Sequence, residues 1–337
     1  MFILATETNE EDGRYLKQQF KNDTVKLLTG SLDEASKEDL ANVDALLPFI
    51  HTAVGQAEID SMPNLKIIAT RSTGYDHIDL QYAAKKGIVV CNVPGYGETA
   101  VAEYTFALML DVTRKVDEAV RRTKLGDYTL EGLQGFDLYG KTLGVIGTGK
   151  IGQRVIRIAK GFGMEVIAFD VYQNLSSAEV LGFHYVELDE LLGKADIITL
   201  HAPSLPSTYH TINRESLSKV KRGAVLINTA RGSLVDTEAL LWALNEGIIS
   251  AAGLDALEGE EFLQNEEELF GASSDVEEKL KTVVRNNILQ RHPNVTITPH
   301  VAFNSREALR RILDTSIDSV RSFAKGQPRN TVKVPVK

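Results

Sequence analysis

Cysteine is nearly absent: Cys91 is the only one in 337 residues. A lone cysteine excludes an intrachain disulfide framework and a cysteine-based zinc site. Tryptophan is equally scarce, and Trp242 reads as a packing residue. No apolar run approaches the roughly 20 residues that a membrane-spanning helix needs. A basic excess is missing too. Lys and Arg number 37 against 46 Asp and Glu, a net charge of −9, which disfavours a general binder of nucleic acid or of anionic membranes. The opening MFILATETNE lacks a basic n-region, so it reads as a first strand rather than a secretory leader. Proline and glycine are scattered, which argues against a low-complexity linker, and no solenoid period is visible. The seven histidines show no metal-ligand spacing, and no metal is expected. The expectation is a soluble, acidic, cytoplasmic chain of enzyme size, long enough for two domains.

What the chain does have is a rhythm. Short apolar runs alternate with amphipathic stretches from end to end. Phe2–Thr6, Val25–Thr29, Ala45–Phe49, Leu65–Thr70 and Ile88–Val93 read as strands, with helical patterns such as Asp12–Phe20 and Asp79–Lys86 between them. A long helix starts at Glu98 and continues to about Lys124. Six more apolar strands follow: Thr142–Ile146, Val166–Asp170, Asp196–His201, Ala224–Thr229, Ala251–Asp255 and Val295–Thr298. A final helix is expected over Ser305–Ala324. Repeated βα units imply parallel sheets covered on both faces. The fold class is therefore α/β with two domains. A Rossmann-type doubly wound nucleotide domain, 101–300, is inserted into a flavodoxin-like substrate domain, 1–100 plus 301–337. One stretch breaks the rhythm. Asp255–Glu278 holds ten acidic residues and no basic one, and the excursion to His292 exceeds an ordinary loop. It reads as a solvated excursion with a short helix near Glu277–Val284, or as a functional loop beside the catalytic candidates.

Gly147-Thr148-Gly149-Lys150-Ile151-Gly152 is a GxGxxG between a buried strand and the helix pattern Lys150–Phe162. Gly147 permits the tight turn, Gly149 lets backbone approach a pyrophosphate, and Gly152 lets helix and strand pack closely. The helix N-terminus offers free N–H groups to the phosphates. Asp170 ends the next strand, 18 residues beyond Gly152. A carboxylate there accepts from ribose hydroxyls and repels a 2′-phosphate. Val171, Tyr172 and Gln173 follow it, with no Arg, so NAD is expected over NADP.

Three further side chains fall at strand ends, where ligands bind in open α/β sheets. They are Arg231 after Val225–Thr229, Glu260 past Ala251–Asp255, and His300 past Val295–Thr298. The set suits reversible hydride transfer to a 2-keto acid. Reduction needs a proton donor titrating near neutrality, which points to His300. A carboxylate beside it, Glu260, favours imidazolium and fixes the tautomer. Arg231 can hold a substrate carboxylate in a planar fork.

At these residues the chain resembles the NAD-dependent D-isomer-specific 2-hydroxyacid dehydrogenases. Asn228–Arg231 with Gly232, Gly253-Leu254-Asp255 with Glu260, and Thr298-Pro299-His300 are similar to the family's three signature regions. Arg71–Asp79, Asn92–Tyr96 and Val101–Thr105 extend the resemblance into the front domain. The resemblance implies Arg231 as substrate anchor, Glu260 as the acid partnering the histidine, and His300 as proton donor. It implies cofactor contacts at Gly149, Lys150, Ile151, Asp170, His201, Ala202, Pro203, Thr208, Thr229, Ala230, Asp255 and Thr105. The backbone at Thr73 and Gly74 would hold the substrate carboxylate, while Tyr96 and Phe303 would line the pocket. A homodimer formed through the nucleotide domain is implied as well, with the helix around Glu98–Leu110 at its interface.

Within the family, Tyr96 and the 261–293 excursion point to the members that interconvert pyruvate and D-lactate. Hydroxypyruvate, glyoxylate or phenylpyruvate remain alternative substrates. An NADH-sensing binding protein on the same fold is the alternative from another class.

Overall fold

A computed structural model of the chain describes residues 1–260 and 276–333. Two compact units divide it: Met1–Tyr96 with Ser305–Lys337, and Gly97–Asn304. The limit falls before the helix Glu98–Arg114 rather than at 100/101, because that helix packs whole against elements of the second unit.

In the first unit the apolar runs become five parallel strands: β1 Phe2–Ala5, β2 Thr24–Leu27, β3 Ala45–Leu47, β4 Ile67–Ala69 and β5 Val89–Cys91. Their order is β2-β1-β3-β4-β5, the flavodoxin-like doubly wound arrangement. β3 and β4 are buried at every residue, which is why they read as continuous Ala, Ile and Leu rather than alternating. The C-terminal helix Arg306–Ala324, capped by Ser305, sets Leu313, Ile317 and Val320 into one face of this sheet beside Ile3 and Leu47.

The second unit carries β6 Thr142–Ile146, β7 Glu165–Phe169, β8 His184–Tyr185, β9 Ile197–Leu200, β10 Ala224–Asn228, β11 Ile249–Leu254 and β12 Val295–Ile297. All pairings are parallel, in the order β12-β11-β10-β9-β6-β7-β8. This is the Rossmann order with one strand added at the β11 edge, and the chain reverses direction across the sheet at β6/β9. The strand ends are level. Ile146 lies opposite both Phe169 and Leu200, Asn228 opposite Leu200 and Leu254, and Leu254 opposite Ile297. Gly147, Asp170, His201, Thr229, Asp255 and Thr298 therefore follow in one row along the carboxyl edge.

Three sequence expectations need correction. The sheet has seven strands among the described residues rather than six: β8 is only two residues long, too short for any alternation to show. The long helix breaks at Lys115, whose φ of 55° is left-handed, giving Glu98–Arg114 and Val116–Lys124. The short helix expected near Glu277–Val284 runs over Val276–Gln290. The rest of the excursion, 261–275, lies outside the described residues.

Leu143 is fully buried in the cluster that joins β6 to the helix Lys150–Gly161. Leu143→Ala should cost about 2–5 kcal/mol of stability, measurable by urea denaturation; an unchanged midpoint would contradict this packing.

Candidate active site

The glycine turn is dictated by close approaches. Gly147 has φ +96°, and a Cβ on it would lie 2.7 Å from the backbone nitrogen of Ala202. A Cβ on Gly152 would lie 2.1 Å from the carbonyl oxygen of Gly147. Gly149 differs: nothing stands within 4 Å of the place its Cβ would occupy. It caps the helix Lys150–Gly161 without a side-chain hydrogen bond, so no capping side chain takes up the first-turn N–H groups. That cradle fits a dinucleotide pyrophosphate. Lys150 is exposed and reaches Glu98 at 3.5 Å, while Ile151 packs partly onto the core. Asp170 stands beside the turn and accepts from the Thr148 backbone N–H at 2.6 Å.

On the next strand, His201 donates its backbone N–H to Ile146, and its ring Nε2 pairs with Thr199 Oγ1 at 2.9 Å. Burial pushes this imidazole down to about 3, so it is neutral. Ala202 packs partly on the core. Thr208 closes the following loop, donating to the Pro203 carbonyl at 2.6 Å and accepting from the Leu205 N–H. Thr229 Oγ1 pairs with Thr105 Oγ1 at 2.8 Å. Asn228, wholly buried, accepts from the Ala230 N–H and donates to the Arg231 carbonyl. It thereby fixes the backbone that presents Arg231, whose guanidinium donates to the Ala230 carbonyl at 2.8 Å.

His300 follows β12 through Thr298 and Pro299 and sits in the left-handed region, at φ 53°. A non-glycine residue held there costs free energy that surrounding contacts must offset. Asp255 supplies them. Its carboxylate, 1% exposed, accepts from Thr298 Oγ1 at 2.6 Å, from the Val301 N–H at 2.9 Å and from the Ala302 N–H at 2.8 Å. The residue expected near the nicotinamide is thus also the clamp of the histidine turn. Glu260 Oε1 lies 2.6 Å from His300 Nδ1, and its Oε2 accepts from the Leu257 N–H at 3.1 Å. Burial works against a charged imidazole. The hydrogen bond and charge of Glu260, with the charge of Asp255, outweigh both that and the opposing pull of Arg231, so His300 titrates above the usual imidazole value.

Sequence reasoning missed a second imidazole–carboxylate pair behind this loop. Glu258 accepts from Thr237 Oγ1 at 3.2 Å and lies 2.6 Å from His210 Nε2, while Asn286 donates to its carbonyl. Gly232 presses so close that a Cβ would lie 2.0 Å from the Leu257 carbonyl. Glu258 read as one more member of an acidic run, and only its position two residues before Glu260 hinted otherwise.

The substrate candidates divide between the units. In the first, Thr73 donates its hydroxyl to the Val93 carbonyl and accepts at its own carbonyl from Asn92, while Ser72 donates to the Gly74 carbonyl. Tyr96 is 9% exposed, and its carbonyl accepts from Arg311 Nε. In the second unit, Phe303 follows the clamped turn. Among the described residues no cluster of His, Cys, Asp and Glu could hold a metal ion, and no helix is long and apolar enough to cross a membrane.

Residues 106–302 match the family model described as D-isomer specific 2-hydroxyacid dehydrogenase, NAD binding domain. The chain belongs to the D-isomer-specific 2-hydroxyacid dehydrogenase family. A 2-hydroxyacid dehydrogenase homolog from Haemophilus influenzae is 42% identical, covering 99% of this chain and 100% of its own. A glyoxylate reductase from Thermococcus litoralis is 38% identical over 89% of this chain and 86% of its own. The crystal structure of D-lactate dehydrogenase from Aquifex aeolicus, complexed with NAD and lactic acid, is 36% identical. It superposes with a TM-score of 0.84, covering 99% of this chain and 100% of that one. The protein is an NAD-dependent oxidoreductase of this family.

The pH response of this dehydrogenase should expose the Glu260 contribution. The protonated fraction of His300 falls as pH rises through its raised pKa, so a reduction that draws its proton from this group should slow there. In Glu260→Gln the amide oxygen can still accept from Nδ1–H but the carboxylate charge is lost, so burial and Arg231 are opposed less strongly and the falling limb should move to lower pH. A limb left in place in the pH–rate profile would refute the assignment.

Proposed function

We propose that the chain is a D-lactate dehydrogenase that reduces pyruvate to D-lactate and runs in reverse on D-lactate. The observation that carries the reading is the Glu260–His300 contact at 2.6 Å, in which the imidazole titrates above its usual value and feels the charge of Arg231. Bound NADH supplies a hydride to the carbonyl carbon. The rest falls to side chains. Glu260 occupies Nδ1 of His300, which leaves Nε2 to give its proton to the ketone oxygen. The imidazole ends neutral, with its remaining proton on Nδ1 facing Glu260. In oxidation Nε2 takes the hydroxyl proton. Arg231 holds the substrate carboxylate and polarises the carbonyl. The same reading gives Thr73, Gly74, Tyr96 and Phe303 to the substrate. Gly147, Gly149, Lys150, Ile151, Gly152, Asp170, His201, Ala202, Pro203, Thr208, Thr229, Ala230, Asp255 and Thr105 go to the cofactor.

Tyr96, the 261–293 excursion and the likeness to a D-lactate dehydrogenase bound to lactic acid favour pyruvate. The 38% identity to a glyoxylate reductase supports a second reading, in which another small keto acid is preferred. A panel of pyruvate, glyoxylate, hydroxypyruvate, oxaloacetate and phenylpyruvate, followed by NADH absorbance, decides between them. Pyruvate should give the highest kcat/KM, with D-lactate as the product. His300→Gln should lower kcat by about 10²–10⁴-fold while NADH still binds. Tight NADH binding with no turnover on any keto acid would favour an NADH sensor instead.

The reading includes a cytoplasmic homodimer formed through the second unit. Val116, Val120, Leu125, Tyr128 and Leu130 are 44–84% exposed on and after the helix Val116–Lys124. A groove of about 900 Å³ runs beside Val116 and Val120, where apolar Tyr104, Ala107 and Val295 are interspersed with Asp111, Asp117 and Glu260. So much apolar surface suits a protein interface. Light scattering should give twice the 37.0 kDa chain mass, and Val120→Asp with Leu125→Asp should return it to the monomer. A monomeric parent would end this part of the reading.

A further inference from the structure

The carboxylate of Asp170 is not free to turn. Its Oδ2 accepts from both the backbone N–H and the hydroxyl of Thr148, at 2.6 and 2.9 Å, and its Oδ1 accepts from the Tyr172 N–H at 2.9 Å. An ionised carboxylate only accepts, so the single proton of Thr148 Oγ1 is committed to Asp170. The 2.8 Å contact between Thr148 Oγ1 and Tyr185 Oη then has one direction: Tyr185 donates to Thr148. Tyr185 Oη in turn accepts from the Asn174 N–H at 3.1 Å, and Asn174 caps the helix Leu175–Leu181 through Ser177. The chain of bonds Asn174 → Tyr185 → Thr148 → Asp170 runs from a helix cap to the acid. Thr148 is 5% exposed. The Tyr185 ring lies edge-on to the buried ring of Phe183 at 5.1 Å, so the relay is anchored in the core.

We propose that Thr148 and Tyr185 are positioning residues for cofactor choice: they hold Asp170 toward the adenosine ribose and so enforce rejection of a 2′-phosphate. The proposal rests on Asp170 being the acid that meets that ribose. An unrestrained aspartate at a strand end can rotate toward solvent when a phosphate arrives. One held by three donors must first give up short, charge-assisted bonds, so the negative charge stays where the 2′-phosphate would sit. The following residues Val171, Tyr172 and Gln173 offer no cation in compensation. The two-residue strand β8 thereby acquires a purpose, since it is what brings Tyr185 to the glycine turn.

Dissociation constants for NADH and NADPH, read by nicotinamide fluorescence without any keto acid, test this. The readout is their ratio, Kd(NADPH)/Kd(NADH). Thr148→Val keeps the shape but removes the hydroxyl, and should lower the ratio by about tenfold, equivalent to about 1.4 kcal/mol. Tyr185→Phe should lower it in the same direction by about threefold, through a tightening of NADPH. Thr148→Ser restores a hydroxyl and should keep the parental ratio, which separates the relay from general damage to the turn. Asp170→Ala is the control and should lower the ratio most. If it does so while Thr148→Val and Tyr185→Phe weaken both cofactors equally, Asp170 remains the discriminating acid and the positioning proposal falls. If Asp170→Ala leaves the ratio unmoved, the ribose assignment falls and the proposal with it.

Discussion

The carboxylate of Asp255 is the point on which the reactive geometry depends. It closes the end of β11 and takes all three of its hydrogen bonds from the turn that follows β12. Buried carboxylates are expensive unless satisfied, and here the satisfaction comes from residues 298–302. Holding that turn forces His300 to φ 53°, a conformation it would not keep alone. The same charge also favours protonation of the histidine it positions. One buried group thus offsets a backbone strain and biases a proton equilibrium.

Around that point, register does the assembling. Parallel strands whose ends are level put successive loops side by side, and each loop contributes one group. β6 ends in the glycine turn, β7 in Asp170, β9 in His201, β10 in Thr229 and Arg231, β11 in Asp255 and Glu260, β12 in His300. A slip of one residue in β9 or β10 would turn every following side chain to the opposite face. Burial on both faces makes such slips costly: β9 and β10 expose nothing. The apolar monotony of these strands is what aims the polar residues beyond them.

Much of this was legible in the sequence, because it rests on local signals. The glycine spacing, the acid 18 residues on, and polar residues directly after apolar runs are short-range features. They gave the α/β class, the NAD cofactor and the row of candidate side chains. What escaped depends on contacts far apart in the chain. β8 is defined only by its pairing with β7, and Tyr185 matters only because that pairing delivers it to Thr148. Glu258 and His210, 48 residues apart, show no local pattern. Asp255 was legible as a strand-end acid, but its clamp on residues 298–302 needs the β11–β12 pairing to be seen. Lys115 broke a helix whose apolar periodicity ran straight through it.

The three charges at the reactive end are not independent. Glu260 and Asp255 favour imidazolium at His300, and Arg231 opposes it. On the proposed reading, Arg231 is the group that receives the substrate carboxylate. An anion bound there offsets the guanidinium charge that His300 feels. The opposition to protonation then weakens at the moment a proton is needed, while the attraction of the two carboxylates remains. A keto acid without its carboxylate would leave Arg231 uncompensated and His300 a poorer proton donor. Selection for 2-keto acids over simple ketones then follows from electrostatics as well as from the fit of the guanidinium fork: the substrate's own charge helps to set the protonation state of the residue that completes its reduction.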